Sequence, residues 1–176
     1  MKATSFASFE TAIGRCGIAW NEHEAVVAVR LPALDGAPRS RSFASAGEAV
    51  PPPAVAAAID GIVALLQGQA RDLAEVPLDM QDLPAFDRRV YELARRIAPG
   101  HTLTYGELAR QLGEPGAARR VGQALGRNPF PLVVPCHRVL AAGGQTGGFS
   151  APGGVETKLR LLAIEGATLN GTLPLF

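Results

Sequence analysis

Residues 104–126 read TYGELARQLGEPGAARRVGQALG and contain the signals for two short helices with a turn between them. Thr104, followed three residues later by Glu107, matches a capping box, which begins a helix. We therefore expect one helix at 105–112 and, after a turn that contains proline and glycine, a second helix at 117–126. Two helices of this size joined by such a turn are typical of a helix-turn-helix.

Further elements are predicted on both sides of this motif. Apolar residues spaced three or four positions apart between Leu83 and Ile97 predict a preceding helix, which Pro99-Gly100 ends. The motif is followed by a short, buried extended run at 132–135 and by a glycine-rich loop at 143–154. A last helix is expected at about 155–165. The second half of the chain is therefore predicted to be mainly α-helical.

The first half has a different pattern. Aromatic and β-branched residues predict strands at 9–20 and 24–31, joined by a polar turn into a hairpin. One more edge strand is expected around 39–43, and a helix is expected at 54–67. These elements indicate a small α/β unit, and the change of pattern puts a domain boundary near residue 82.

Composition limits the class of protein. The chain has 176 residues, of which 47% are apolar and 19% are charged, as in a globular protein. No apolar run is long enough to span a bilayer, and the N-terminus lacks the apolar segment of a signal peptide. Two cysteines exclude a disulfide-rich scaffold and a four-cysteine zinc module. We expect a cytoplasmic protein without membrane contact.

Charge is unevenly distributed along the chain. Residues 1–90 carry 8 basic and 11 acidic groups, whereas residues 91–176 carry 9 basic and 5 acidic groups. The net charges of the two halves are therefore −3 and +4. Seven arginines but only three glutamates lie within 91–138. This asymmetry suggests that the second half binds an anion.

The candidate reactive group lies in NPFPLVVPCHRV, residues 128–139. Cys136 is either a buried core cysteine, as most single cysteines are, or a nucleophile. His137 and Arg138 beside it favour the second interpretation, because nearby cations lower the pKa of a thiol and a thiolate–imidazole pair is a nucleophile with its base. Contact between the cysteine and histidine side chains requires a turn here. Glu165 is the preferred acid for orienting the histidine, and a solvated helix end is the alternative.

The second helix of the motif is rich in alanine and glycine and begins with Arg119 and Arg120. A helix that reads bases in the major groove presents several larger polar side chains, whereas small residues permit close approach to the narrow minor groove. Close packing inside the protein is the alternative. The alternatives for Tyr105 are contact with a phosphate, donation of a proton, and packing. A thiol beside such a helix suggests chemistry on a nucleotide flipped out of a DNA duplex.

The segment PCHRV, residues 135–139, resembles the active-site signature of the O6-alkylguanine-DNA alkyltransferases, also called methylated-DNA–protein-cysteine methyltransferases. The resemblance extends over residues 86–166 with matching spacings, and more loosely to TAIG at 11–14 and the hairpin. It implies an RNase H-like α/β N-terminal domain at 1–82. It also implies an α-helical C-terminal domain with a winged-helix-like helix-turn-helix at 83–176.

The resemblance implies DNA repair by irreversible transfer of an alkyl group from O6-alkylguanine to the protein's own Cys136. Each molecule would act once, without a cofactor and as a monomer, on double-stranded DNA bound through its minor groove, with the damaged nucleotide flipped out. A non-enzymatic sensor of alkylated DNA is the first alternative, but such proteins lack the acceptor cysteine. A helix-turn-helix regulator and a cysteine hydrolase are two further alternatives, and neither has its expected sequence features here.

The resemblance also implies roles for five catalytic residues. Cys136 matches the alkyl acceptor, and His137 matches the base that takes the thiol proton through a bound water. Glu165 matches the acid that orients this histidine. Asn128 matches the hinge asparagine between the helix-turn-helix and the active-site loop. Tyr105 matches the tyrosine that contacts the 3′ phosphate and helps to protonate the leaving guanine.

A second set of residues matches those that bind the base and the DNA. The carbonyls of Cys136 and Val139 match the acceptors for the guanine amine, and Ser150 matches the donor to O6, with Phe149 in the pocket wall. Arg119 matches the arginine that fills the space of the flipped nucleotide. The other expected DNA contacts are Arg120, Tyr105, Ala118, Gly122 and Gln123.

Three features depart from the family pattern. Phe149 stands where several relatives have tyrosine, and Gln123 stands where many have glycine or alanine. Ala151-Pro152 is a two-residue insertion that lengthens the glycine-rich loop. Zinc sites of some relatives need cysteine and histidine ligands in the N-terminal domain, which here offers only Cys16 and His23, so no metal is expected.

Overall fold

The structure is a computed structural model that describes residues 2–32, 41–149 and 153–167. In the first half, four strands form a mixed sheet in the order β3-β2-β1-β4. Strand β2 pairs antiparallel with both β1 and β3, whereas β4 pairs parallel with β1. The strands are β1 (Ser5–Thr11), β2 (Gly14–Trp20), β3 (Val26–Arg30) and β4 (Gly47–Glu48).

The prediction of a single strand at 9–20 is wrong. The chain reverses between β1 and β2, and Thr11 pairs directly with Gly14 across the turn. Gly14 has a φ of 121°, in a region that side chains rarely adopt, and a Cβ there would lie 3.1 Å from Pro32 Cγ. An additional hairpin, β1–β2, therefore precedes the predicted one, which is present as β2 and β3.

The expected edge strand around 39–43 is also wrong where the structure describes it. Helix α1 (Arg41–Ala44) is a single turn that buries Phe43 against the sheet. The Phe43 ring meets Phe6 edge-on at 6.1 Å between centroids, and the Arg30 guanidinium lies 4.5 Å from its centroid. Burial of the Phe43 side chain therefore accounts for a helical turn here in place of a strand. The edge of the sheet beside β1 is formed by β4 instead.

Helix α2 (Pro53–Leu66) lies one residue earlier than predicted. Its proline occupies the first helical turn, where a missing backbone N–H costs nothing. Gly61 permits close packing, because a Cβ there would lie only 2.6 Å from Leu73 Cδ2. Helix α2 thus covers the sheet and buries its apolar face.

The second half contains the predicted helices and a two-stranded parallel sheet. The helices are α3 (Ala85–Ala94), α4 (Tyr105–Gln111), α5 (Ala118–Gly126) and α6 (Gly154–Ile164), and the strands are β5 (Leu103–Thr104) and β6 (Val139–Leu140). The capping box is present, because Thr104 Oγ1 accepts from the Glu107 N–H at 3.1 Å and a Glu107 carboxylate oxygen accepts from the Thr104 N–H at 2.7 Å. Since Thr104 also pairs with Leu140, the start of α4 is tied to the strand that follows Cys136.

The run at 132–135 is buried as expected, but it is not extended. Leu132 has a φ of 74°, and the Val134 N–H donates back to the Phe130 carbonyl at 2.8 Å. The segment is a tight loop whose Leu132, Val133 and Val134 side chains belong to the apolar core. It can be buried because its backbone groups are paired locally.

One apolar core joins the sheet to the helices. Ile18, Val90 and Leu161 belong to the same buried cluster, and the Val29 N–H donates to the Pro129 carbonyl at 2.9 Å. The sheet therefore contacts the segment that leads to Cys136. Within the described ranges, no helix has both the length and the apolar character needed to cross a membrane.

Candidate active site

The predicted turn at Cys136 and His137 is present, but no hydrogen bond joins these two side chains. Cys136–Arg138 forms one 3₁₀ turn between Pro135 and β6, and all three of its side chains are buried. The turn directs Cys136 to a surface cleft, whereas His137 points to the interior, where Nε2 faces Glu165. Both cysteines of the chain are free thiols.

Asn128 holds this loop at the end of α5. Its side-chain amide donates to the Val134 carbonyl at 2.9 Å, and its side-chain oxygen accepts from the Phe130 N–H at 2.8 Å. The amide thus satisfies two backbone groups that neither a helix nor a sheet pairs, and it sits beside the Cys136 thiol. The end of α5 and the cysteine turn are consequently linked through one side chain.

Glu165 contacts His137 as predicted, with 2.8 Å between the carboxylate and Nε2. It is the C-cap residue that follows α6, within a Schellman motif in which the Gly166 and Ala167 N–H groups donate to the Ala163 and Leu162 carbonyls. Gly166 has the positive φ, 70°, that this motif requires. The helix end therefore fixes where the carboxylate lies.

Arg138 is a site residue whose contacts the sequence analysis did not anticipate. Its guanidinium donates to both Glu165 oxygens, at 2.6 and 2.9 Å, and to the Ile97 carbonyl at 2.6 Å. This two-point contact holds the carboxylate that faces His137. The only sequence signal for this role was its position in PCHRV, beside the histidine.

Burial and hydrogen bonding determine the protonation of the site. Burial raises the pKa of the Cys136 thiol more than the neighbouring polar groups lower it. Burial lowers the pKa of His137, although Glu165 acts in the opposite direction. Burial also raises the pKa of Glu165, but the hydrogen bonds and charges of His137 and Arg138 outweigh it and lower this pKa to about 2. At neutral pH the site therefore holds a thiol, a neutral imidazole and a carboxylate.

One ring nitrogen of His137 remains available for a proton. Because Nε2 faces an ionised carboxylate, it carries the hydrogen of the neutral ring, and Nδ1 is then an acceptor. Nδ1 is buried and has no hydrogen-bond partner among the described residues. A buried, unpaired acceptor of this kind is suited to receive a proton.

Lys158 of α6 is a second residue that the sequence analysis missed. It is fully buried, and its ammonium donates to the Val139 carbonyl at 2.7 Å and to the Gly148 carbonyl at 3.3 Å. Burial lowers its pKa to about 8, against a smaller opposite effect of Cys136. The available signal was a lysine on the apolar face of α6, three positions before Leu161.

A cleft of about 580 Å³ connects the thiol to α5. It is lined by the small-residue face of α5, formed by Ala118, Gly122 and Gly126, and by Gly148 and Phe149 of the glycine-rich loop. The remaining lining residues are Tyr105, Arg119, Gln123, Leu125 and Cys136. All but one of the α5 residues expected to contact DNA therefore lie on the same cleft as the thiol.

Arg120 is the exception. Its guanidinium lies 3.9 Å from the centroid of the Phe86 ring, and its Nη1 lies 3.4 Å from a Glu114 carboxylate oxygen. These contacts turn it toward α3, away from the cleft. Neighbouring positions on a helix point about 100° apart, so Arg119 and Arg120 face different surroundings.

Tyr105 lies at the start of α4, against the small-residue face. A Cβ on Gly122 would lie 3.8 Å from its ring, and a Cβ on Gly147 would lie 2.9 Å from its hydroxyl. Burial raises the pKa of Tyr105, as does Cys136 to a smaller extent. The phenol is therefore protonated at neutral pH and close to the glycine-rich loop.

The structure locates some of the residues expected to bind the base. Phe149 is half-buried in the cleft wall. The Val139 carbonyl accepts from Lys158, and the Cys136 carbonyl accepts from the Val139 N–H, so each already has one donor. Ser150 and the Ala151-Pro152 insertion lie outside the described residues.

Comparison with known proteins identifies similar sequences over most of the chain. The family model for the DNA-binding domain of 6-O-methylguanine DNA methyltransferase matches residues 85–167. A methylated-DNA–protein-cysteine methyltransferase of Methanothermobacter thermautotrophicus is 39% identical over 88% of this chain and 81% of its own length. The protein of the same name from Mycolicibacterium paratuberculosis is 42% identical over 71% of this chain and 73% of its own length.

Comparison with solved structures gives the same result for the fold. Mycobacterium tuberculosis OGT in complex with DNA superposes with a TM-score of 0.75 at 32% sequence identity. The superposition covers 92% of this chain and 93% of that structure. The similarity therefore includes the sheet as well as the helices around Cys136.

Proposed function

Because this chain belongs to the methylated-DNA–protein-cysteine methyltransferases and repairs DNA by alkyl transfer, we propose that its Cys136 thiol accepts the alkyl group from O6-alkylguanine. The observation that carries this proposal is the cleft, where the thiol and the small-residue face of α5 are neighbours. A thiol that reacts with a nucleobase must be accessible from the surface that binds the DNA. Cys136 meets this requirement, whereas Cys16 is fully buried in the core.

In this proposal α5 lies in the minor groove of double-stranded DNA. Ala118 and Gly122 add little bulk to the surface of α5, which permits the helix backbone to approach a narrow groove. Arg119 and Gln123 are exposed at the edge of the cleft, where Arg119 fills the space that the flipped nucleotide leaves. The damaged base enters the cleft and meets Phe149 and the thiol.

The first chemical step is transfer of the thiol proton. The proton moves from Cys136 Sγ through a bound water to His137 Nδ1, the buried acceptor without a protein partner among the described residues. Glu165 stabilises the histidinium that forms, and Arg138 holds the carboxylate in place. Burial raises the pKa of the Cys136 thiol, so the resting thiol is protonated and the thiolate forms in this proton-transfer step.

The second step is an in-line displacement. The electron pair on Cys136 Sγ forms a bond to the alkyl carbon, and the carbon–O6 bond breaks with its electrons on guanine. The Tyr105 hydroxyl donates a proton to the leaving base and recovers one from the histidinium through solvent. The products are guanine in DNA and a thioether on the protein, with all protons accounted for. A thioether has no carbonyl for water to attack, so each molecule reacts once.

We also infer the finer features of fold and cellular setting from the same resemblance. The chain divides near residue 82 into an RNase H-like domain and a winged-helix-like helix-turn-helix domain, and it acts as a monomer. A cytoplasmic location suits this chemistry, because a reducing compartment keeps the acceptor thiol free. A shared apolar core is compatible with two domains in contact.

The decisive experiment is intact-protein mass spectrometry after incubation with a duplex that contains O6-methylguanine, followed by peptide mapping. We expect one added methylene on the peptide that contains Cys136 and none in Cys136→Ala. Cys16→Ala is the matched control and should gain the methylene as the parent does. Tighter binding of the damaged duplex without any added mass would instead indicate a non-enzymatic sensor. Methylene on the Cys16 peptide would refute the assignment of the acceptor.

A further inference from the structure

Gln123 carries an amide on the face of α5 that lines the cleft. Its side chain is exposed, and no hydrogen bond or ion pair engages it within the part of the chain that the structure describes. Apart from the guanidinium of Arg119, no other α5 side chain on this face has hydrogen-bonding groups. The remaining α5 residues that line the cleft are Ala118, Gly122, Leu125 and Gly126.

The backbone that carries Gln123 is firmly anchored. Its neighbour Ala124 is buried, as is Val121 two positions earlier. The Tyr91 hydroxyl of α3 donates to the Ala124 carbonyl at 2.6 Å. The amide of Gln123 therefore extends from a fixed point toward whatever lies against the cleft face of α5.

The spacing between Arg119 and Gln123 sets which part of the DNA the amide meets. Residues four positions apart lie on the same helix face, about 6 Å apart along the axis. One base pair occupies about 3.4 Å of duplex. With Arg119 in the space of the flipped nucleotide, Gln123 faces base pairs no more than about two steps from the lesion. These pairs lie on one side of the lesion only, because Gln123 lies on one side of Arg119.

An amide can distinguish base pairs in the minor groove, whereas a group that only donates reads their common acceptors. Every base pair presents acceptors there, the purine N3 and the pyrimidine O2. A G·C pair adds one donor, the guanine 2-amino group. The glutamine amide has both an N–H donor and a carbonyl acceptor. A G·C pair can satisfy both groups, and an A·T pair can satisfy only the donor.

We propose that Gln123 reads the guanine 2-amino group of a base pair beside the lesion, and so is a specificity-determining residue that favours repair next to G·C pairs. The amide oxygen accepts from the 2-amino group, and the amide N–H donates to N3 of the same guanine. At an A·T pair the oxygen is left without a donor, which disfavours binding. This inference deepens the proposed function and rests on the docking of α5 in the minor groove.

The experiment uses base analogues that change only this amino group in the minor groove. Deoxyinosine lacks the 2-amino group of deoxyguanosine, and 2,6-diaminopurine adds it to the adenine of an A·T pair. Duplexes carry O6-methylguanine with one analogue at the first or second pair on either side. The two measurements are the rate of methyl transfer at limiting DNA concentration and the equilibrium binding of Cys136→Ala to the same duplexes.

Two substitutions remove the amide. Gln123→Met keeps a side chain of similar length without its hydrogen-bonding groups, and Gln123→Ala leaves only a methyl group. Gln67→Met is the matched control, because Gln67 is also exposed at the surface but lies at the C-terminal end of α2 and does not line the cleft. For the binding measurement each substitution is combined with Cys136→Ala.

We expect the parent to transfer methyl about fivefold or more slowly when inosine replaces guanine on one side of the lesion, and to recover when diaminopurine replaces adenine in an A·T pair. Gln123→Met and Gln123→Ala should respond to either analogue by less than about twofold, and Gln67→Met should respond as the parent does. The analogues also change duplex stability, but this effect is common to all variants and cancels in the comparison.

Parent-like selectivity in Gln123→Met would overturn the proposal. So would an equal loss of rate on every duplex, because it would show contact with DNA without recognition of a base. Methyl transfer by the parent without selectivity would disprove the reading of G·C pairs alone. Selective binding by Cys136→Ala without methyl transfer by the parent would support the role of Gln123 and disprove the acceptor assignment.

Discussion

Replacement of Glu165 by glutamine should reduce the pH dependence of the protein's unfolding free energy by a defined amount. Its pKa of about 2 in the folded state lies well below its ordinary value of 4.5, because His137 and Arg138 stabilise the carboxylate. At about 1.4 kcal/mol per unit, this corresponds to about 3 kcal/mol of folding free energy at neutral pH. Because the folded pKa is depressed, this stability is fully present above pH 4.5 and is lost as the pH falls toward 2.

The assay is urea unfolding of the parent and of Glu165→Gln at pH values from 2 to 7. Other carboxylates titrate in the same range, so the informative quantity is the difference in unfolding free energy between the two proteins. We expect this difference to shrink by about 3 kcal/mol between pH 6 and pH 2. Glu10→Gln is the control, because Glu10 and Arg15 form an exposed pair that contributes little. A difference that is constant with pH would refute the reasoning.

Three further substitutions test separate parts of the structure. Arg119→Ala should slow methyl transfer from duplex DNA at limiting DNA concentration, because Arg119 lines the cleft. Arg120→Ala should slow it less, because Arg120 faces α3. Equal effects of the two substitutions on the measured rate would contradict the assignment. Tyr91→Phe removes a 2.6 Å hydrogen bond to the Ala124 carbonyl and should cost about 1 kcal/mol in chemical unfolding, because that carbonyl keeps a backbone donor. Thr104→Ala removes the side-chain cap of α4 and should also cost about 1 kcal/mol, and an unchanged unfolding midpoint would refute the capping argument.

Local signals made much of the second half predictable. The capping box at Thr104, the glycine after Glu165 and the spacing of apolar residues in α3 act over three or four positions, and the helices begin and end within a few residues of the predicted positions. The same holds for the turn at Cys136, which a proline before the cysteine made plausible. Where a few neighbouring residues determine the backbone, the sequence is sufficient.

Two errors in the first half occurred where distant contacts override the local pattern. Aromatic and β-branched residues in 9–20 suggested one strand, but Gly14 permits a turn that Pro32 packs against. The helical turn at Phe43 exists because its ring fits against Phe6 across the sheet. Neither contact can be recognised from spacing, because each joins residues far apart in the chain.

The sequence alone determined which reactive groups are present, namely the PCHRV segment and the glutamate at the end of α6, and through them the family. The tertiary structure decided how these groups are charged. Arg138 reaches Glu165 across 27 positions, and Lys158 reaches the Val139 carbonyl across 19. Protonation depends on burial and on charges a few ångströms away, and both exist only after the chain has folded.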